Sequence, residues 1–186
     1  METVLVTGGC GYIGSHTCIC LLKKGFNIVI IDSLVNSYKS SYLKIIEICR
    51  NEKKEFINMI KFIEGDLRNK KLLSDIFTNQ KKEGNPISSV IHFAGLKSIE
   101  ESIRTPLQYW GTNIESTLRL LDVMDKYECH SIIFSSSATV YKPLNLMLNE
   151  ESFLEPATPY GRTKLAIEMI LKDLYLGNKK KWRIAN

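Results

Sequence analysis

With 186 residues, of which 44% are hydrophobic, the chain can bury one core, and we expect a single domain. It contains neither the ~20-residue apolar run of a membrane-spanning helix nor the charged and apolar segments of a secretory signal, so we expect no membrane partner. The formal net charge of +5 comes mainly from scattered lysine doublets without interleaved aromatic residues, and we therefore expect no nucleic-acid partner either.

The first predicted elements are a buried strand, a glycine-rich turn and an amphipathic helix over residues 12–24, in direct succession. The turn carries the spacing G-x-G-x-x-G at Gly9, Gly11 and Gly14, and Gly8 extends it. Glycine at such positions permits a sharp turn, close approach of the backbone to a pyrophosphate, and tight packing of the helix on the strand. The backbone N–H groups at the helix start then face the phosphates. This stretch predicts a dinucleotide site.

A second buried strand, residues 27–31, ends at Asp32, about 20 residues beyond the turn. A carboxylate at this point accepts hydrogen bonds from the adenosine ribose hydroxyls and repels a 2′-phosphate. No arginine directly follows Asp32, so the pattern favours NAD over NADP. The alternative is an aspartate that only caps a turn.

Further strands are predicted over residues 60–63, 89–93, 131–134 and 182–185, and helices alternate with them. Residues 39–55 are interpreted as a charged, helical surface excursion, and residues 69–80 as a helix. Thr105-Pro106 and Thr158-Pro159 each begin another helix with a cap and a proline. The core stripes expected on these last two helices are Leu118, Leu121 and Met124 on one, and Leu165, Ala166, Met169 and Ile170 on the other.

This alternation predicts an α/β fold in which a doubly wound parallel sheet of the Rossmann type has helices on both faces. The ligand site of such a sheet lies at the carboxyl ends of its strands. We expect one NAD-binding domain over residues 1–186 that stops at about the sixth strand, with a C-terminal substrate domain absent from the chain.

A second group of polar residues follows the fifth strand and begins the last helix. Tyr160 and Lys164 are four residues apart, so they share one helix face, and a serine-rich segment precedes them. A lysine ammonium favours the phenolate and lowers a tyrosine pKa, which makes the tyrosine a better base. The same Y-x-x-x-K spacing recurs at Tyr175 and Lys179, which we interpret as surface residues. Tyr160 differs because its helix starts at the edge of the sheet that carries the glycine turn.

Together these motifs resemble the extended short-chain dehydrogenase/reductase family, and within it the branch of UDP-glucose 4-epimerases. The resemblance covers essentially the whole chain but only the N-terminal, cofactor-binding part of such an enzyme. Dehydratases of the family carry an Asp-Glu pair after the serines, where Ala138 and Thr139 stand here. The strings that carry the resemblance are residues 8–14, 32–37, 65–67, 92–97, Asn113, 134–141 and 159–164.

The resemblance implies NAD-dependent epimerisation of UDP-glucose and UDP-galactose at C4 through a 4-keto intermediate, a reaction of galactose metabolism. Tyr160 would remove the 4-hydroxyl proton, Ser137 would hydrogen-bond that oxygen, and Lys164 would hold the nicotinamide ribose and tune Tyr160. The residues implied to bind NAD are Gly8, Gly11, Tyr12, Ile13, Gly14, Asp32, Ser33, Asn36, Ser37, Asp66, Leu67, Phe93, Ala94, Gly95, Lys97, Asn113, Tyr160 and Lys164. Those implied to bind the UDP-sugar are Lys97, Ser137, Ala138, Thr139 and Tyr160. The parent protein is expected to be a homodimer.

Other interpretations stay open. One is an NAD-dependent dehydratase or reductase for another nucleotide sugar, and another is a catalytically incomplete NAD-binding fragment or a nucleotide-sensing module. Lys142 and the loop at residues 143–149 depart from the family pattern, so the preference among UDP-sugars is open. His92 is interpreted as a buried, hydrogen-bonded residue. The three histidines are scattered, so we expect no metal, and the five cysteines are interpreted as reduced thiols of a cytoplasmic protein.

Overall fold

The computed structural model describes residues 1–143, 147–178 and 181–186. Within them lies a parallel sheet of six strands in the order β3-β2-β1-β4-β5-β6. The order reverses beside β1, which opens a crevice at the carboxyl ends of β1 and β4. The predicted doubly wound sheet is thus confirmed. The strands are β1 (Thr3–Thr7), β2 (Asn27–Asp32), β3 (Ile60–Glu64), β4 (Ile87–His92), β5 (Ser131–Phe134) and β6 (Arg183–Ala185).

Helices connect the strands and cover both faces of the sheet. Along β1, Leu5 faces one core, whereas Val4 and Val6 face the other, as the alternation of side chains along a strand requires. Burial on both faces explains why the strands are continuous apolar runs. The helices are α1 (Tyr12–Lys23), α2 (Lys39–Glu52), α3 (Lys70–Lys82), α4 (Ile99–Arg104), α5 (Pro106–Lys126) and α6 (Pro159–Gly177), with short 3-10 helices at Lys54–Met59 and Ala138–Val140.

The prediction that residues 39–55 form a surface excursion was wrong. Ile45 and Cys49 of α2 are each only 1% exposed and belong to the core beneath α1. The charged residues of this segment occupy the outer face of an amphipathic helix, so its composition concealed a narrow buried stripe.

The predicted core stripes of α5 and α6 were partly wrong as well. Leu121 and Met124 are buried, but Leu118 is 46% exposed. On α6, Met169 is 60% exposed, whereas Ile167 and Leu171 are buried. The misplacement has one cause, because polar residues occupy the inner face of both helices near the crevice. These are Asn113, Ser116 and Thr117 on α5, and Tyr160, Thr163 and Lys164 on α6.

Candidate functional site

The glycine turn joins β1 to α1 with a geometry that only glycine permits. Gly8 has a φ of +69°, and the N–H of Gly11 donates to its carbonyl oxygen at 3.1 Å. A Cβ on Gly14 would lie 2.4 Å from that same oxygen, so α1 packs directly against the strand end. Gly11, the N-cap of α1, has no described side-chain cap, and the first turn contains no acidic residue. The N-terminus of α1 can therefore accept an anionic ligand.

Asp32 binds the turn to the end of β2. Its carboxylate accepts the N–H of Cys10 at 2.9 Å, the N–H of Leu34 at 3.0 Å and the hydroxyl of Ser37 at 2.7 Å. The residue is 7% exposed. Because a carboxylate has about four acceptor sites, these donors leave room for about one further hydroxyl.

A cleft of about 370 Å³ runs along the carboxyl ends of the strands, from the glycine turn to the start of α6. Most of the predicted site residues line it. They are Gly8, Gly11, Tyr12, Ile13, Gly14, Asp32, Ser33, Asn36, Ser37, Asp66, Leu67, Phe93, Ala94, Gly95, Lys97, Tyr160 and Lys164. Four predicted residues are not among the described residues that line it, and these are Asn113, Ser137, Ala138 and Thr139.

Several lining residues were missed at the level of sequence. Gln108, Thr112 and Ser116 line the cleft from one face of α5, and their spacing of four residues could have identified them. The other missed residues carry no comparable pattern, and they are Ile31, Val35, Gly65, Arg68, Ser135 and Ser136. Leu96 also lines the cleft, within the string 92–97 that carries the resemblance.

Arg68 occupies both carboxylate oxygens of Asp66 at the far end of the cleft. Its Nε lies 3.1 and 3.0 Å from the two oxygens and its Nη2 lies 2.6 Å from Oδ2. Hydrogen bonding to this guanidinium lowers the pKa of Asp66 below its usual range. The side chain of Asp66, which the resemblance implies to bind NAD, is thus already paired with an arginine.

Asn113 lies beneath the cleft wall, where it joins two of its segments. Its side chain accepts the N–H of Leu96 at 2.8 Å and donates at 3.0 Å to both the carbonyl of Leu96 and the hydroxyl of Thr163. That hydroxyl donates in turn to the carbonyl of Tyr160 at 2.7 Å. Asn113 therefore couples the loop after β4 to the first turn of α6.

His92 is fully buried between two hydroxyls, as predicted. Its Nδ1 lies 2.7 Å from Thr7 Oγ1 and its Nε2 lies 3.0 Å from Thr117 Oγ1. Because Thr117 donates its proton to the carbonyl of Asn113, it can only accept from His92. The ring is consequently the neutral Nε2–H tautomer. Burial, with a smaller effect of Lys164, lowers the pKa of His92 to about 3.

Tyr160 and Lys164 stand together on the wall opposite the glycine turn. Thr158 caps α6 by accepting the N–H of Gly161 at 3.2 Å, and both site residues are less than 10% exposed. Lys164 Nζ donates to the carbonyl of Ser135 at 2.8 Å and lies 4.6 Å from the ring centroid of Phe134. It lies 6.0 Å from the ring centroid of Tyr160.

Burial lowers the pKa of Lys164 to about 8, and the nearby carboxylate of Glu168 opposes this shift. Tyr160 and Lys164 thus place a phenol and an ammonium one helical turn apart at the same cleft.

Ser137 turns its hydroxyl toward Thr139. The oxygen lies 2.9 Å from Thr139 Oγ1 and accepts the N–H of Thr139 at 3.2 Å, which caps the 3-10 helix Ala138–Val140. The neighbouring Ser135 and Ser136 line the cleft instead, and Ser136 donates to Glu168.

The remaining predictions concern the surface, metals and the membrane. Lys179 of the second Y-x-x-x-K spacing and residues 144–146 of the divergent loop lie outside the described residues. In the described part of the chain, no group of three or more His, Cys, Asp or Glu residues could hold a metal ion. None of the helices described is both long enough and apolar enough to cross a bilayer.

The chain is similar to a protein-family model, to curated proteins and to solved structures. Residues 5–181 match a family model described as GDP-mannose 4,6 dehydratase. UDP-glucose 4-epimerase 1 of Oryza sativa subsp. japonica is 43% identical over 99% of the chain and 49% of its own length. UDP-glucose 4-epimerase uge1 of Schizosaccharomyces pombe is 46% identical over 95% of the chain and 48% of its own length.

Among solved structures, the UDP-glucose 4-epimerase from Bifidobacterium longum, in complex with NAD+ and UDP, superposes with a TM-score of 0.87 at 40% identity. The match covers 98% of this chain and 51% of the solved one. The chain thus spans about half the length of the curated relatives it matches.

Proposed function

The chain belongs to the family whose model is described as GDP-mannose 4,6 dehydratase, and from this membership we propose that it supplies the NAD-binding part and the acid–base residues of a UDP-glucose 4-epimerase. Its relatives at 43% and 46% identity carry that name, in agreement with the resemblance apparent in the sequence. One observation carries the proposal most directly. Tyr160 and Lys164 line the same cleft as the glycine turn and Asp32, so a cofactor and an acid–base pair can share it.

The described residues suit NAD well. The N-terminus of α1, without a described side-chain cap, can bind the pyrophosphate, and Asp32 retains about one acceptor site for a ribose hydroxyl. The epimerase from Bifidobacterium longum was solved with NAD+ and UDP, which supports the same assignment here. When bound, NAD supplies the acceptor and donor of hydride at C4 of the sugar. The residues proposed to hold it are those implied by the resemblance, with Asn113 acting from beneath the wall.

We propose that Tyr160 exchanges the proton of the sugar 4-hydroxyl. Its phenol lies in the first turn of α6 at the cleft, one helical turn from the ammonium of Lys164. Lys164 is itself fixed by the carbonyl of Ser135, so the positive charge stays beside the phenol. This arrangement suits general acid–base catalysis.

Ser137 is proposed to hydrogen-bond the same sugar oxygen. The hydroxyl of Thr139, 2.9 Å away, would orient the serine hydroxyl toward the substrate. Lys97 lines the cleft, and with Ala138 and Thr139 it completes the proposed contacts to the UDP-sugar.

We also propose that the protein is a homodimer formed through α5 and α6. Leu107 and Leu118 share one side of α5 and are 85% and 46% exposed. Met169 and Leu176 share one side of α6 and are 60% and 53% exposed. Exposed apolar stripes of this kind mark protein–protein contacts. Sedimentation of the wild type as a dimer and of Leu118→Glu as a monomer would support this assembly, whereas a monomeric wild type would refute it.

The location of the protein is proposed to be cytoplasmic. All five cysteines are free thiols and four of them are buried, which suits a reducing compartment. Fractionation of cells that express the natural protein tests this placement.

The decisive experiment is incubation of the natural full-length protein with NAD and UDP-galactose. We expect UDP-glucose to form, and we expect Tyr160→Phe to abolish its formation while NAD remains bound. A 4-keto-6-deoxy product would identify a dehydratase instead. Bound NAD without any product would favour a nucleotide-sensing module.

A further inference from the structure

Ser135 and Ser136 directly follow β5, and each is hydrogen-bonded to a residue of α6, on two consecutive turns of that helix. The carbonyl of Ser135 accepts a hydrogen bond from Lys164 Nζ at 2.8 Å, and the hydroxyl of Ser136 donates to the carboxylate of Glu168. Lys164 and Glu168 are four residues apart and lie on the same helix face. The two serines line the cleft, whereas Glu168 is not among the described residues that do so.

Glu168 is therefore placed to act through Lys164 and not on a ligand. Lys164 is 5% exposed, and burial of this kind disfavours its charged form. A carboxylate one turn away opposes that effect, and the hydrogen bond from Ser136 keeps the carboxylate in position. Without this partner, the ammonium would depend on the carbonyl of Ser135 and the ring of Phe134.

Few other titratable groups can play this part. On the sheet side, His92 of β4 is neutral because two hydroxyls and burial hold it so. On α6 itself, Tyr160 is the residue proposed to transfer the substrate proton. Tyr109 of α5 is buried, and its hydroxyl donates to Glu101. The charged residues on the other elements packed against α6 are exposed or bonded to groups other than Lys164. They are Glu100, Glu101 and Arg104 on α4, Glu115, Arg119, Asp122, Asp125 and Lys126 on α5, and Arg183 on β6.

We propose that Glu168, anchored by Ser136, is a positioning residue that keeps Lys164 charged beside Tyr160. Its value for catalysis rests on the proposed function, because the charge on Lys164 matters to turnover only if Tyr160 transfers the proton. Its effect on Lys164 itself does not depend on turnover.

The test follows the ionisation of Lys164 by NMR in the chain labelled with isotope in its lysine side chains, without ligand. The Lys164→Met variant identifies the resonance by its disappearance. We expect Lys164 of the wild type to titrate near pH 8. In Glu168→Gln, which keeps the shape and a hydrogen-bond acceptor but removes the charge, the midpoint should fall by about one pH unit.

Two further variants complete the design. Ser136→Ala should shift the same midpoint in the same direction by a smaller amount, because it frees the carboxylate without removing its charge. Asp173→Asn removes an exposed charge from the same helix and should leave the midpoint unchanged. An unchanged midpoint in Glu168→Gln, or an equal shift in Asp173→Asn, would overturn the proposal.

A second readout separates this proposal from the proposed function. In the full-length protein, Glu168→Gln should lose turnover at a lower alkaline pH than the wild type, with an unchanged KM for the UDP-sugar at neutral pH. A shifted Lys164 midpoint in a protein without epimerase activity would refute the proposed function alone. Normal epimerisation with an unshifted midpoint would refute the role of Glu168 alone.

Discussion

Asp32 accepts the backbone N–H of Cys10 at 2.9 Å, so the carboxylate that ends β2 is hydrogen-bonded to the glycine turn itself. All three groups around this carboxylate are donors. We therefore predict that Asp32→Asn, whose amide presents a donor to one of them, lowers the free energy of unfolding by about 1–3 kcal/mol. NAD binding should weaken at the same time.

Urea unfolding and calorimetric titration with NAD measure both effects. Ser37→Ala removes only one of the three donors and should cost less than Asp32→Asn. Equal stability of Asp32→Asn and the wild type would show that the turn does not depend on this carboxylate.

The contact between α1 and the end of β1 predicts a large effect of a single methyl group. In Gly14→Ala the new Cβ would meet Gly8 O at 2.4 Å and Gly9 Cα at 2.8 Å, so the helix must move away from the strand. We expect the free energy of unfolding to fall by about 1–3 kcal/mol. NAD binding should also be lost, because the N-terminus of the helix shifts. Thermal unfolding compares it with Gly177→Ala, where the added Cβ meets no neighbouring atom and stability should not fall. Similar melting temperatures for the two variants would contradict the prediction.

The neutral His92 predicts a specific dependence of stability on pH. Its pKa is about 3 in the folded chain and about 6.5 when unfolded. The unfolded state therefore binds more protons between these values, and the stability present above pH 6.5 falls as the pH drops toward 3, by at most about 1.4 kcal/mol per pH unit.

His92→Gln should be less stable at neutral pH but should lack this part of the acid dependence. The exposed His16→Gln serves as the control and should retain the wild-type dependence. The measurement is urea unfolding at a series of pH values, and parallel curves for the wild type and His92→Gln would refute the assignment.

The hydrogen bonds of Asn113 predict that its substitution affects two separate segments of the chain. In Asn113→Ala the N–H of Leu96 loses its acceptor and the hydroxyl of Thr163 loses its donor, so the loop after β4 and the first turn of α6 should open more readily. Hydrogen exchange should show faster exchange of the Leu96 amide, while amides in β1 stay as in the wild type. Unaltered exchange at Leu96 would mean that other contacts hold the loop.

The features predicted correctly from the sequence depend on local chemistry. A strand, a glycine turn and a helix in succession need no distant residue to be recognisable, and Asp32 follows from its distance to that turn. The alternation of apolar strands and helices was likewise enough to predict a doubly wound sheet. His92 was predicted as buried because its strand is apolar around it.

The errors concern features that depend on tertiary packing, namely the buried face of a helix and the conformations of side chains. The inner face of α6 begins with the polar residues Tyr160 and Lys164. A prediction that followed only the apolar residues therefore shifted the expected core stripe around the helix and placed the exposed Met169 in the core. The hydrogen bond from Ser136 to Glu168 depends on the rotamers of both side chains, which no sequence pattern indicates. The pairing of Arg68 with Asp66 is a side-chain conformation that no spacing encodes.

The strand order also bears on the route by which the chain folds. Thr3 of β1 lies opposite Asn27 on one side and Ile87 on the other, so the central strand gains its two neighbours at very different points of synthesis. Until β4 emerges from the ribosome, one edge of β1 offers unpaired backbone groups and apolar side chains to any other strand. Parallel pairings across such separations form slowly. We therefore expect nascent chains that end before β4 to need chaperone protection, whereas chains that include β4 should no longer expose this edge.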